Sequence, residues 1–128
     1  MSSRIIFINF LLLILSTMTS FSQAAPTHKD IVYATVDGKE LKLDLYIPAK
    51  PVTQGLLVWV HGGAWRGGTK DGVPKVFPES GIATASIEFR QSTEAKFPAQ
   101  IHDIKAAIRF LRANALTFGC NADRIVIA

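Results

Sequence analysis

The run LLVWVHGGAWRGG, residues 56–68, constrains this chain more than any other stretch. Five apolar residues, Leu56 to Val60, suit a strand covered on both faces. They pass directly into His61, Gly62, Gly63, Ala64 and Trp65, then Arg66, Gly67 and Gly68. Glycines in such a loop let the main chain face a neighbour or a bound group with no Cβ between them. The strand must therefore sit inside a sheet and deliver this loop at its carboxyl end.

The flanking residues describe that sheet. Leu41, Leu43, Leu45 and Ile47 alternate with Lys42, Asp44 and Tyr46, the period-two sign of a half-buried strand. Asp37-Gly38 supplies the two residues of positive φ that a tight turn needs, so IVYATVDGKELKLDLYIP reads as a hairpin. Beyond the glycine loop, Val73 to Glu79 fits a short helix with Pro74 in its first turn, ended by Gly81. Ile82 to Ile87 makes a fourth strand. PAQIHDIKAAIRFLRANA is the clearest helix: Ile101, Ile104, Ile108, Leu111 and Ala115 recur at three- and four-residue steps. RIVIA begins a fifth strand. Strands alternating with helices predict an α/β fold with a mostly parallel sheet. Ligands of such open sheets bind beyond the carboxyl ends of the strands, where His61 to Trp65 falls.

The ends and the charge limit the remaining choices. Arg4, the apolar run Ile5 to Leu15 (broken only by Asn9) and the small residues Ser22 and Ala24 match a secretory signal peptide, cut after Ala24. That predicts a secreted or periplasmic protein. An uncleaved anchor is the other option, but the apolar run falls short of the roughly 20 residues a membrane span needs. Residues 25–30 form a polar lead-in, and residues 31–128 the domain. The net charge of +4 becomes +3 when Arg4 leaves. Its basic residues form no run, so nothing marks a nucleic-acid groove. Cys120, the single cysteine, cannot form an internal disulfide and fits a small buried hydrophobe.

The glycine loop has three readings. It could be a simple tight turn. It could cradle a phosphate, but neither G-x-G-x-x-G nor G-x-x-x-x-G-K-[ST] is present. Or it could form an oxyanion hole, built in α/β-hydrolases partly from a loop of the HGGG type. From Asp30 to Ala128 the chain resembles the front half of the esterase/lipase branch of the α/β-hydrolases. HGGAW resembles the H-G-G-x-W loop of kynurenine formamidases and of exported bacterial carboxylesterases, including those acting on acetyl or feruloyl groups of xylan. EFRQSTEAKFPAQIHDIKAAIRFLRANA resembles the segment after the fourth strand of those esterases, and DRIVIA the strand leading to their nucleophile elbow.

The resemblance implies a partial α/β-hydrolase domain, truncated at the fifth strand. It implies that Gly63 and Ala64 offer backbone N–H groups to an oxyanion and that Gly62 allows a sharp turn. His61 would brace the loop, and Trp65 would wall the substrate pocket. His61 is also a conceivable base, but in that family the base lies near the far end of the domain. No cofactor or metal is implied, and a His61–His102–Cys120 metal site has no supporting spacing. The partner implied is a small ester. Arg90, after the fourth strand, and Asp103, early in the long helix, are expected to form a salt bridge. Phe89 stands where many relatives carry Tyr, which removes a hydroxyl.

A serine in G-x-S-x-G is absent, and Ser80, Ser86 and Ser92 lie in a turn, a strand and a loop. In this fold the order is Ser, acid, then His, so all three would follow Ala128. Two hypotheses result. The chain is the N-terminal fragment of an exported serine carboxylesterase, inactive alone, or a non-catalytic remnant acting at most as a binding module. A formamidase-type amide hydrolase is a weaker alternative. A fifth strand ending at Ala128 is expected to leave a bare apolar edge.

Overall fold

A computed structural model describes residues 24–128. The expected signal peptide lies outside them, apart from Ala24. The chain forms strand β1 (His28–Val36), β2 (Lys39–Tyr46), β3 (Leu56–Val60), a 3-10 turn (Lys70–Gly72), helix α1 (Val76–Glu79), β4 (Thr84–Ile87), α2 (Ala99–Asn114), a second 3-10 turn (Ala115–Phe118) and β5 (Ile125–Ile127). Among the described residues no helix is long and apolar enough to cross a membrane.

The five strands make one mixed sheet in the order β1-β2-β4-β3-β5. The β1–β2 hairpin turns through Asp37 and Gly38, with φ of 50° and 78°. β2 also runs antiparallel to β4, whereas β3 is parallel to both β4 and β5. The parallel character thus belongs to the β4-β3-β5 half. Val60 and Ile87 are register partners, so β3 and β4 end level with each other. The loops beginning at His61 and at Glu88 therefore leave the same sheet edge side by side.

One face of the sheet carries the apolar core. Leu41, Leu43, Leu45, Leu56, Val58, Ala85 and Ile87 are buried there with Ile104, Ala107 and Leu111 of α2. The other face was expected to be polar and open at β2, yet Asp44 and Tyr46 are buried too. The chain after the glycine loop folds over that face: Lys70 reaches Asp44, and Phe77 packs on Trp59 at 5.9 Å.

Several boundaries differ from the sequence reading. β1 begins at His28, so the lead-in already joins the sheet, with an irregular register between His28 and Ile31. The short helix starts at Val76, after Pro74, and the strand at Ile82 shortens to Thr84–Ile87. On α2 the buried side chains are Gln100, Asp103, Ile104, Ala107 and Leu111, while Ile101 and Ile108 are half-buried. The buried face is turned from the apolar stripe because two polar groups on it have partners. Gln100 Nε2 donates to Ala95 O at 2.8 Å, and Asp103 accepts from Arg90. Among the described residues β5 is the last strand beside β3, and Val126 and Ile127 are exposed.

Candidate functional site

The loop after β3 is folded around its own main chain. His61 is buried and its Nδ1 lies 2.9 Å from Gly62 O. A carbonyl oxygen only accepts, so Nδ1 carries the proton. Gly63 O accepts the N–H groups of Arg66 and Gly67 at 3.0 and 3.1 Å. Peptide planarity then fixes two directions, because N–H and C=O of one trans peptide point opposite ways. The Gly63 N–H points away from the His61 ring, and the Ala64 N–H points out of the 63–67 turn. No acceptor among the described residues takes either one.

The backbone here is strained. Ala64 and Trp65 have φ of 55° and 62°, and Gly63 has φ of 127°. Non-glycine residues in such regions cost on the order of 1–3 kcal/mol each and persist only when their surroundings hold them. Gly63 is required sterically as well, since a Cβ there would lie 2.2 Å from Gly67 O. Gly62, expected to allow the sharp turn, differs. Its φ is not positive and nothing lies within 4 Å of a Cβ built on it. The turn is made by residues 63–65 instead.

The connection after β4 supports the loop. Phe89 is buried and stacks on His61, with centroids 4.5 Å apart and planes 16° apart. Trp65, 47 % exposed, meets Phe89 edge-on at 5.4 Å. The position expected to lack a hydroxyl thus makes its contacts through the ring. The anticipated Arg90–Asp103 pair is present and bidentate, through Nε to Oδ2 at 2.9 Å and a terminal nitrogen to Oδ1 at 2.8 Å. The Asp103 carboxylate raises the Arg90 pKa further above its already high value. A cavity of about 480 Å³ opens on the hairpin side of the loop, lined by His61, Gly68, Lys39, Glu88 and Glu94 among others. Lys39 and Glu94 pair across it, which holds the Glu94 carboxyl below its usual range.

Sequence reasoning missed a second charged cluster behind the loop. Lys70, 4 % exposed, donates to Asp44 Oδ2 at 3.0 Å and pairs with Asp30 Oδ1 at 2.7 Å. Its carbonyl accepts Ser86 Oγ–H at 2.6 Å. Burial alone would lower the Lys70 pKa, but the two carboxylates raise it above its usual value. This cluster ties the far end of the loop to β2 and β4. No local pattern marks it.

The histidines and Cys120 are dispersed. His28 packs edge-on against Phe118 at 5.2 Å, and His102 is exposed on α2. Cys120 is buried with its Sγ 3.5 Å from Ala115 O, and burial pushes its thiol pKa up. Among the described residues no three His, Cys, Asp or Glu side chains gather as a metal site.

A parallel β4-β3-β5 core preceded by an antiparallel hairpin, with a His-Gly-Gly loop at the carboxyl end of β3, defines an α/β-hydrolase. Within that class the chain belongs to the BD-FAE family, whose model matches residues 43–128. It is similar to the arylesterase of Saccharolobus solfataricus, at 36 % identity over 107 residues, covering 76 % of this chain and 35 % of that protein. Among solved structures it is similar to a bifunctional GH43-CE of Bacteroides eggerthii, with 38 % identity and a TM-score of 0.65. That match covers 77 % of this chain and 15 % of the other. It is also similar to a bacterial heroin esterase, with 25 % identity and a TM-score of 0.68, covering 95 % and 40 % of the two chains. The sequence spans about a third of the arylesterase's length.

Proposed function

We propose that residues 24–128 form the oxyanion-binding side of a serine carboxylesterase acting on a small ester. The serine, acid and base would be supplied by residues outside this sequence. The observation that carries the reading is the pair of unused, outward-pointing N–H groups of Gly63 and Ala64, at the carboxyl end of β3. Successive N–H groups beside left-handed residues form concavities that bind anions. Esterase relatives supply the reaction class.

In the reaction a serine Oγ adds to the ester carbonyl carbon, and its proton passes to a base. The carbonyl oxygen becomes negative and accepts from Gly63 and Ala64. Collapse expels the alcohol, and water then releases the acid from the acyl-serine. One such donor is worth about 2.7–4 kcal/mol in the transition state. His61 acts here as the brace of the loop, since its Nδ1–H is committed to Gly62 O. Trp65, half exposed beside these amides, would form one pocket wall. We propose also that residues 1–24 direct export and are removed.

The test is hydrolysis of p-nitrophenyl acetate by the full-length gene product, with intact mass after treatment with a p-nitrophenyl phosphonate. Turnover and one covalent phosphonyl adduct are expected. A pure, folded protein with neither would overturn the reading.

A further inference from the structure

Three residues of the β4–α2 connection each hold a different part of the glycine loop. Phe89 carries the His61 ring at 4.5 Å. Gln91 Nε2 donates to Gly68 O at 3.0 Å. The Ser92 N–H donates to Trp65 O at 2.7 Å. The start, middle and end of the loop are thus gripped by one short strap.

Arg90 lies within this strap, and its own polar contacts lead elsewhere. Its main-chain N–H and its Nε both donate to Asp103 Oδ2 at 2.9 Å, and its fork is completed by Asp103 Oδ1 at 2.8 Å. A more distant contact, 3.9 Å, goes to exposed Asp37. Asp103 is 2 % exposed on α2, a helix packed on the sheet. A planar fork and a main-chain bond to one fixed carboxylate leave the backbone at Arg90 little freedom. The left-handed conformation of Ala64 and Trp65 requires surroundings that over-determine it. The strap meets that need.

We propose that Arg90 is a positioning residue for the oxyanion loop. Anchored on Asp103, it fixes Phe89 to Ser92, and these hold the Gly63 and Ala64 amides in the direction the reaction uses. The inference rests on the reading of that loop as an oxyanion hole. Because the acceptor becomes negative only in the transition state, a rotated peptide would weaken transition-state binding more than substrate binding. The signature is therefore a fall in kcat with KM held.

The experiment uses full-length protein and compares wild type, Arg90→Lys, Gln91→Ala and Leu111→Val. Arg90→Lys keeps the charge beside Asp103 but loses the planar fork. Leu111→Val, in the core of α2, controls for lost stability. With p-nitrophenyl acetate, Arg90→Lys should lower kcat by about 10- to 100-fold, somewhat less than the loss of a whole oxyanion donor. KM should stay within about twofold, with Gln91→Ala intermediate and Leu111→Val near wild type. Hydrogen exchange of the Arg66 and Gly67 amides, which are bonded to Gly63 O, should rise about tenfold in Arg90→Lys, as expected for a loop released to open locally. An active enzyme whose Arg90→Lys variant keeps kcat within twofold of wild type, or loses no more than Leu111→Val, overturns the proposal. If wild type hydrolyses no ester, the oxyanion reading fails on its own. Exchange then decides whether the strap holds the loop: unchanged exchange in Arg90→Lys removes that part as well.

Discussion

Gly68→Ala probes how the loop is built, because its cost follows from distances. Gly68 has φ of 90°, and a Cβ there would lie 2.3 Å from Gly62 O and 2.4 Å from His61 Nδ1. Those two atoms are already hydrogen-bonded to each other, so neither can retreat without breaking that bond. Forcing a methyl into packed surroundings costs about 1–3 kcal/mol. A Cβ on a backbone of positive φ adds about 1–2 kcal/mol, and loss of the His61–Gly62 bond about 1 kcal/mol. The sum, roughly 3–6 kcal/mol, is an upper bound for a loop able to shift. Equilibrium urea unfolding is the assay, with slopes of about 1–3 kcal/mol per molar. With a slope of about 2 kcal/mol per molar, the midpoint should fall by up to about 1.5–3 M. Gly62→Ala is the matched control: with open space at its Cβ it should change stability by no more than about 0.5 kcal/mol. A Gly68→Ala midpoint within about 0.3 M of wild type, or a larger loss in Gly62→Ala, would refute the reasoning.

Lys70→Met should destabilise by about 3–5 kcal/mol in the same assay, because it strands the Asp44 carboxylate in the interior; adding Asp44→Leu should recover part of the loss. Stability should also decline at both pH extremes in circular-dichroism melts. Asp30 and Glu94 have lowered pKa values, mainly through Lys70 and Lys39, so below about pH 4 the unfolded chain binds protons the folded chain refuses. Lys70 has a raised pKa, so above about pH 10.4 the unfolded chain loses a proton that the folded chain keeps. Burial raises the Tyr33 hydroxyl pKa as well and adds to the alkaline decline, so Lys70→Met should remove only part of it. Expressed in its host, the protein should appear outside the cytoplasm with Ala25 as its first residue by N-terminal sequencing; a cytoplasmic protein beginning at Met1 would contradict the export proposal.

The legible parts of the fold were those with local causes. Alternation in Leu41–Ile47, the Asp37-Gly38 turn and the apolar run Leu56–Val60 each fix an element from adjacent residues. The Arg90–Asp103 pair followed from where the fourth strand ends and the long helix begins. Period two, however, says which side a residue faces and not what will cover it. Period two alone places Asp44 and Tyr46 toward solvent, whereas the 70–77 segment covers them. Apolar spacing on α2 likewise overlooked Gln100 and Asp103, whose burial depends on partners 5 and 13 residues away in sequence. The His-Gly-Gly motif located the loop but could not say which glycine needs positive φ. That depends on the Gly67 carbonyl and on the His61 ring, which stand against Gly63 and Gly68. The strap from Phe89 to Ser92 was hidden for the same reason: it meets its targets across more than 20 residues of chain.

The most direct test of the central claim is a crystal structure of the full-length protein carrying a phosphonyl group on its nucleophilic serine. The phosphonyl oxygen stands in for the oxyanion of the tetrahedral intermediate. The account predicts that oxygen about 2.7–3.1 Å from the main-chain nitrogens of Gly63 and Ala64, with Phe89 still stacked on His61. An adduct whose oxygen faces other donors, with both amides turned away, would contradict it.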